Sequence, residues 1–461
     1  MTLLAYSARW FPQKVAICIE NEIFTYQQLL LNSQKVAHIL HKTHQIRKKD
    51  RVGLLLYNSI EQIESIFALS YLGADMYLLN ADMTIEHLQH LQEKHKLKAI
   101  LCENKLFESL SLQLSITVIS SEQLKAPEKA DTIHIPKSYG GKIVVLTGGT
   151  TGGFKTAKHK ASATAFVHPT YALIKQLQIP KYKSVYIAVP IFHSYGFATL
   201  LIAIFLGKNI YISKKFDTLK ALTLIKEHRI EVVTFVPTML RRVLSENAEA
   251  LQSLKCIVCG AAPLPLEIAK QTFEKLGHIL YNLYGTSEAG FCIIASPQDL
   301  EKNIATIGKP IEGVSVRIHH PNGEGVGELC IKSAWTINPK EWIYTGDLAR
   351  LDDNGLVFLY GRKDDMIISG GENIYPIHTE EAILKHPAVA EVVVVGVPDE
   401  DFGQVLKAFV VTKPNQEITE QALKAWLSDK LARFQIPKRI ELVSHIPYTN
   451  VGKVSKKSLN A

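Results

Sequence analysis

Cysteine is scarce in this chain, 6 of 461 residues, and so are methionine (5) and tryptophan (4). The cysteines are scattered, which excludes a disulfide-stapled scaffold. Cys256 and Cys259 have CxxC spacing, but no second pair follows to complete a zinc site. They sit in an apolar stretch that reads as a strand, where residues three apart point to opposite faces. Packing, not metal or redox chemistry, is the reading they support. The seventeen histidines show no ligand-like clustering. No apolar run is long enough to span a bilayer. The longest, Gly196–Leu206, predicts a buried helix. The opening residues Met1–Arg9 lack the basic start and long apolar run of a signal peptide. Together these absences predict a cytoplasmic protein with no transmembrane segment, leaving only peripheral membrane contact open. Strong charge of one sign is missing too: the net charge is +8, from 52 basic and 44 acidic residues spread along the sequence. That suits anionic small ligands such as nucleotides and predicts no nucleic-acid partner.

What the chain does have is apolar material, 47% of its residues, enough for large cores, and a length that suggests about three folding units. Helix-periodic and strand-like segments alternate from Tyr26–Leu40, Arg51–Leu56 and Ser59–Leu72 through Ala99–Cys102, Thr117–Ile119, Ser184–Val189, Asn209–Ile212, Leu219–His228, Val232–Val236 and Pro265–Leu276. That alternation predicts parallel sheets covered by helices. Between Ile307 and Tyr360 the segments become short and turn-rich (His320-Pro321-Asn322-Gly323, Asp352-Asp353-Asn354-Gly355), predicting a small antiparallel region. After the polar cluster Arg362–Asp365 the α/β pattern resumes on a smaller scale, in Thr379–Lys385, Val389–Val397, Lys407–Thr412 and Gln421–Leu431. The expected class is α/β: a large N-terminal domain over 1–361 and a smaller C-terminal α+β domain over 362–461, of about 100 residues.

The stretch from Leu146 to Lys155 carries the most chemistry. It follows an apolar strand, Lys142–Leu146. Its glycines bring backbone N–H groups close to a ligand, while threonine hydroxyls and one ammonium complete an anion site. That is chemistry for phosphates, although no Gly-Lys-Ser/Thr closes a Walker A sequence.

Further clusters follow in order: Val189-Pro190-Ile191-Phe192-His193-Ser194-Tyr195-Gly196; Gly260-Ala261-Ala262-Pro263-Leu264 with Tyr284-Gly285-Thr286-Ser287-Glu288; Tyr344-Thr345-Gly346-Asp347 with Gly361-Arg362-Lys363-Asp364-Asp365; Ser369-Gly370-Gly371-Glu372; and Pro447-Tyr448-Thr449-Asn450-Val451-Gly452-Lys453. In this order and spacing, from Phe24-Thr25-Tyr26 to Lys453, the chain resembles the acyl-adenylate-forming superfamily, which includes the acyl-CoA synthetases.

The resemblance implies roles. Thr147, Gly149, Thr150, Thr151, Gly152 and Lys155 would hold the β- and γ-phosphates of ATP. Gly260, Ala261 and Ala262 would form the adenine-binding turn, with Tyr284, Gly285 and Thr286 flanking adenine and the acyl pocket. Ser287 would touch the α-phosphate, and Glu288 would bind Mg²⁺, a hard cation suited to carboxylate oxygen. Asp347 would take the ribose hydroxyls, as a two-oxygen acceptor can. Arg362 would reach the nucleotide, and Asp364 would sit at the hinge to a C-terminal mobile domain. His193 would lie near the carboxylate pocket. Lys453 would bridge the carboxylate and α-phosphate as charge builds, and Gly371 would line the pantetheine tunnel of CoA.

The implied activity is that of an AMP-forming acid–thiol ligase using ATP, Mg²⁺ and CoA. Phe192-His193-Ser194 offers no aspartate for an α-amine, which disfavours amino acids. The Pro190–Gly196 segment, the apolar run after it and Lys214-Lys215-Phe216-Asp217 resemble the fatty-acyl branch. No polar anchor for a second functional group stands out in the presumed pocket. A medium- or long-chain fatty acid is therefore the expected substrate, which would place the enzyme in fatty-acid metabolism. The alternatives are a benzoate-like aryl acid, loading of a carrier protein, or a nucleotide-binding relative without catalysis. The chain departs from the family pattern at Gly148, Phe154 and Thr156, and is short between Leu329 and Tyr344.

Overall fold

The computed structural model describes residues 2–125, 141–148, 154–156, 167–448, 454–455 and 459. Two compact units account for the chain. The first comprises Met1–His159, Leu177–Phe235 and Glu249–Ile257; the second comprises Lys160–Gln176, Val236–Ala248 and Val258–Ala461.

The first unit is built on two largely parallel sheets. One runs Thr117–Ser120, Ala99–Cys102, Arg51–Leu55, Asp75–Leu78, Ile143–Gly148 and Phe154–Thr156. Its first five strands are parallel and the last pair is antiparallel. The other runs Val232–Phe235, Ser184–Ile187, Asn209–Ile212, Val15–Ile19 and Glu22–Thr25, parallel until its final hairpin. Such strands are near-continuous apolar runs because helices cover both faces. All four residues of Ala99–Cys102, Ser184–Ile187 and Val232–Phe235 are buried.

Helix boundaries follow local chemistry. Thr25 caps Tyr26–Lys42 through a reciprocal capping box with Gln28, satisfying two otherwise orphaned N–H groups. Ser59 caps Ile60–Leu72, and Gly73 ends it at φ +68°, a left-handed conformation that glycine adopts at little cost. Asp217 caps Thr218–Glu227.

The second unit changes character, as the turn-rich sequence predicts. Leu280–Thr286, Gly290–Ala295, Thr306–Pro310, Val357–Arg362, Ile343–Leu351, Gly327–Ser333 and Val314–His319 form an antiparallel succession. Asn322 and Asp352 fold their turns by accepting N–H groups two and four residues ahead, as short polar side chains do.

Near the C-terminus a smaller sheet runs Glu372–Ile374, Ile367–Ser369, Gly403–Thr412 and Val389–Asp399, with Arg439–Leu442 parallel to Gly403–Thr412. Helices Pro376–Leu384 and Glu420–Ser428 close one face over a core containing Ile374, Ile383, Leu406, Leu423 and Leu427. The fold is α/β, as expected. Among the described residues no helix is long and apolar enough to cross a membrane.

All six cysteines are free and buried. Burial pushes the Cys256 and Cys259 thiols up, so they remain neutral and serve as packing in the strand Cys256–Gly260.

Candidate functional site

The second unit assembles its site at strand ends. Gly260 closes its strand beside Leu283, and a Cβ at Gly260 would come within 2.9 Å of the Leu283 carbonyl oxygen. The turn continues through Ala261, at φ +68°. Tyr284, Gly285 and Thr286 end the neighbouring strand. Ser287, Glu288 and Ala289 form the turn into the next strand, which Thr286 closes by accepting the Ala289 N–H at 3.1 Å. Glu288 is half-buried there, and its backbone carbonyl accepts from Ile337 N at 2.9 Å.

Asp347 is the centre of the polar network. It stands opposite Arg362 in the antiparallel ladder. Tyr284 Oη donates to Asp347 Oδ2 at 2.5 Å, and Arg362 Nη1 donates to Oδ1 at 3.0 Å. Arg362 Nη1 also reaches the Thr345 carbonyl at 2.8 Å. Burial, then the neighbouring carboxylate, pushes the Tyr284 hydroxyl well above its usual pKa, so it stays a neutral donor. Burial opposes the charge on Arg362, but Asp347 outweighs it and raises the guanidinium pKa. Each carboxylate oxygen has a second lone pair, so Asp347 retains acceptor capacity for hydroxyls. Gly346 shapes the turn at φ +73°, and a Cβ there would approach Arg362 Nη2 to 2.9 Å.

Glu328 supports this turn in a way that sequence reasoning missed. One oxygen accepts Gly346 N at 3.2 Å and the other pairs with Lys363 at 3.2 Å. The sequence signal was weak: Gly327-Glu328-Leu329 is an ordinary strand start, and only the ladder brings it to Gly346.

The remaining residues of this unit are placed as follows. Asp364 is exposed in the single turn Lys363–Asp365. Gly370 and Gly371 form the two-residue connection between Ile367–Ser369 and Glu372–Ile374, at φ +58° and +90°. Two positive φ values are what a tight hairpin turn of this kind requires. Among the described residues, no atom outside its two chain neighbours lies within 4 Å of a Cβ built at Gly371.

In the first unit, Thr147 and Lys155 face each other across an antiparallel pair that also joins Gly148 to Phe154. Gly149, Thr150, Thr151 and Gly152 lie outside the described residues, as does Lys453. His193 precedes the helix Ser194–Phe205, with its ring 4.3 Å from that of Phe192. Among the described residues no group of three or more His, Cys, Asp or Glu could cage a metal. A single half-buried carboxylate such as Glu288 fits Mg²⁺ that is held mainly by phosphate oxygens.

Comparison with known proteins gives the family. The model of the AMP-binding enzymes matches residues 4–338, and that of the AMP-binding enzyme C-terminal domain matches residues 378–453. The chain belongs to the AMP-binding enzyme family. It is 28% identical to the 2-succinylbenzoate–CoA ligase of Bacillus velezensis, covering 99% of this chain and 97% of that protein. It is 29% identical to the same-named ligase of Staphylococcus aureus, covering 96% of each. Among solved structures, the O-succinylbenzoate coenzyme A synthetase of Bacillus subtilis in complex with ATP and magnesium ion matches at a TM-score of 0.87. It is 26% identical over 100% of this chain and 99% of that one.

These relatives overturn the fatty-acid expectation, and with it the assignment to fatty-acid metabolism. The structure supplies the physical reason. The apolar run whose likeness to the fatty-acyl branch suggested a fatty acid is the helix Ser194–Phe205, buried at Leu200, Ala203 and Ile204, as the sequence predicts for Gly196–Leu206. Ser7 donates to its Ile204 carbonyl at 2.7 Å, and Tyr6 stacks on Phe205. The segment Lys214–Asp217 is equally structural: Lys214 pairs with Glu103, Lys215 with Asp82, and Asp217 caps a helix. Both features thus have structural partners that account for their residue types, and their likeness to the fatty-acyl branch does not by itself mark an acyl chain.

Proposed function

We propose that this AMP-binding enzyme is an ATP-dependent, AMP-forming ligase that joins an aryl carboxylic acid of the 2-succinylbenzoate kind to CoA. The full-length likeness to 2-succinylbenzoate–CoA ligases carries this reading. The Tyr284–Asp347–Arg362 network supports it, as a preorganised acceptor for ribose hydroxyls.

In this mechanism the carboxylate attacks the α-phosphorus of ATP, pyrophosphate leaves, and the CoA thiol then attacks the mixed anhydride, releasing AMP. Asp347 and Arg362 hold the nucleoside while Gly260–Ala262 and Tyr284–Thr286 border adenine. Ser287 donates to the α-phosphate, and Lys453 offsets the charge that builds between carboxylate and phosphate. Thr147, Thr150, Thr151, Lys155 and the glycines between them hold the outer phosphates, and His193 borders the acid. Glu288 would hold Mg²⁺, which supplies charge neutralisation at the phosphates. Positioning does much of the remaining work. In this reading a hinge at Asp364, inside the second compact unit, separates a mobile part over 362–461, and rotation about it exchanges Lys453 for the Gly371 turn beside the pantetheine arm, a hinge transition between two catalytic arrangements.

The test is CoA thioester formation with ATP and Mg²⁺, compared across 2-succinylbenzoate, benzoate and palmitate. The expected result is turnover of 2-succinylbenzoate well above the other two. Turnover of palmitate alone, or of no acid unless a carrier protein replaces CoA, would overturn the reading.

A further inference from the structure

One half-buried ionic network in the second unit lies apart from the Tyr284–Asp347–Arg362 network. Glu391 lies on the strand Val389–Asp399, with its side chain only 18% exposed. One carboxylate oxygen pairs with Arg241, on the helix Pro237–Asn247, which also donates to the Ala390 carbonyl at 3.2 Å. The other accepts the Tyr448 hydroxyl at 2.7 Å. A carboxylate this well covered is costly to keep ionised unless such partners hold it. Its two oxygens therefore tie the helix Pro237–Asn247 to Tyr448, 57 residues beyond Glu391.

Tyr448 is not an ordinary surface residue. It leads by five positions to Lys453. Its backbone forms an antiparallel bridge with Val454, the residue immediately after Lys453, and Ser455 N donates to the Pro447 carbonyl at 2.8 Å. Both Tyr448 and Val454 pack on the face formed by Val393, Val395, Phe409 and Ile446. The residues on either side of the stretch 449–453 are thus fastened to each other and to the strand that carries Glu391.

We propose that Glu391 is a positioning residue for adenylation, which acts through Tyr448 and Arg241 to fix the base of the segment bearing Lys453. The inference rests on the proposed role of Lys453. Its physical content is that an ammonium stabilises a transition state only if its support is held, since a displacement of about 1 Å can cost roughly a hundredfold in rate. The described partners of Glu391 and Tyr448 are protein groups, namely Arg241, each other and the face formed by Val393, Val395, Phe409 and Ile446, so Glu391 acts here through the support of Lys453 and is not itself a catalytic residue.

The experiment uses the full chain and separates the half-reactions. Adenylation is read as 2-succinylbenzoate-dependent ATP–pyrophosphate exchange, and thioester formation as acyl-CoA made from the synthetic acyl-adenylate and CoA. Glu391→Gln and Tyr448→Phe should each lower the maximal exchange rate by roughly ten- to a hundredfold. KM for ATP should stay unchanged, and thioester formation from the adenylate should run at the wild-type rate. Tyr448→Phe keeps the ring and its packing, so it guards against a folding defect in the other variant. Equal loss in both half-reactions, or unaltered exchange in both variants, overturns the proposal. Lys453→Ala is the reference: if it retains exchange, the role given to Lys453 fails and this proposal with it. If it loses exchange while Glu391→Gln and Tyr448→Phe do not, only the positioning role fails.

Discussion

At the scale of single residues, burial decides which charges matter. Asp347 is held by two donors aligned by a ladder, so it presents a fixed acceptor instead of a solvated turn acid. Glu64 shows the opposite case. It is buried in the helix Ile60–Leu72, and that burial, opposed by a hydrogen bond with Asn32, pushes its carboxyl up to about 7. A carboxyl whose pKa is raised on folding binds its proton more tightly in the native state. Stability therefore falls as pH rises from the unfolded value, near 4.5, to about 7, and the cost is fully present above that. Glu64→Gln should accordingly stabilise the protein by up to about 3 kcal/mol at pH 8 and give little gain near pH 4.5. Urea unfolding at the two pH values checks this; an equal gain at both would remove the burial argument.

At the scale of elements, motif glycines fall into two groups that sequence alone does not separate. Gly370 and Gly371 are glycine because a tight hairpin needs positive φ at both central positions. Gly285 has no such conformation. It is glycine because the strand pair leaves no room: a Cβ there would overlap the Gly290 carbonyl oxygen across the hairpin. Gly285→Ala should therefore destabilise the second unit by about 1–3 kcal/mol, the usual cost of overpacking, besides weakening nucleotide binding. A thermal melt without nucleotide separates the two effects, and an unchanged melting temperature would leave Gly285 with a ligand role alone.

At the scale of the whole molecule, nucleotide binding should appear as stability. A ligand that binds only the folded chain adds about 2.7 kcal/mol at a hundredfold excess over its Kd. ATP with Mg²⁺ should raise the melting temperature, and EDTA should remove most of that rise if the metal at Glu288 is held together with the phosphates. A rise unaffected by EDTA would count against the metal role of Glu288.

Much of the fold was legible in the residues. Ala99–Cys102 and Asn209–Ile212 are strands over the stated ranges, and Tyr26–Leu40 extends only to Lys42, because burial periodicity and capping chemistry are local. The family was legible for the same reason: its motifs are short runs in a fixed order. The substrate was not. The buried helix at Gly196–Leu206 was legible, but the acid that a pocket accepts depends on side chains brought together from distant parts of the chain, and likeness of the Pro190–Gly196 and Lys214–Asp217 segments to the fatty-acyl branch did not supply it. Nor were Glu328 and Glu391 legible. Each is one acid in an unremarkable strand until the ladder sets Glu328 beside Gly346, and the folded chain sets Glu391 between Arg241 and Tyr448. Backbone preference and motif order are written in neighbouring residues. The partners of a buried charge come from distant parts of the chain, so tertiary structure alone decides them.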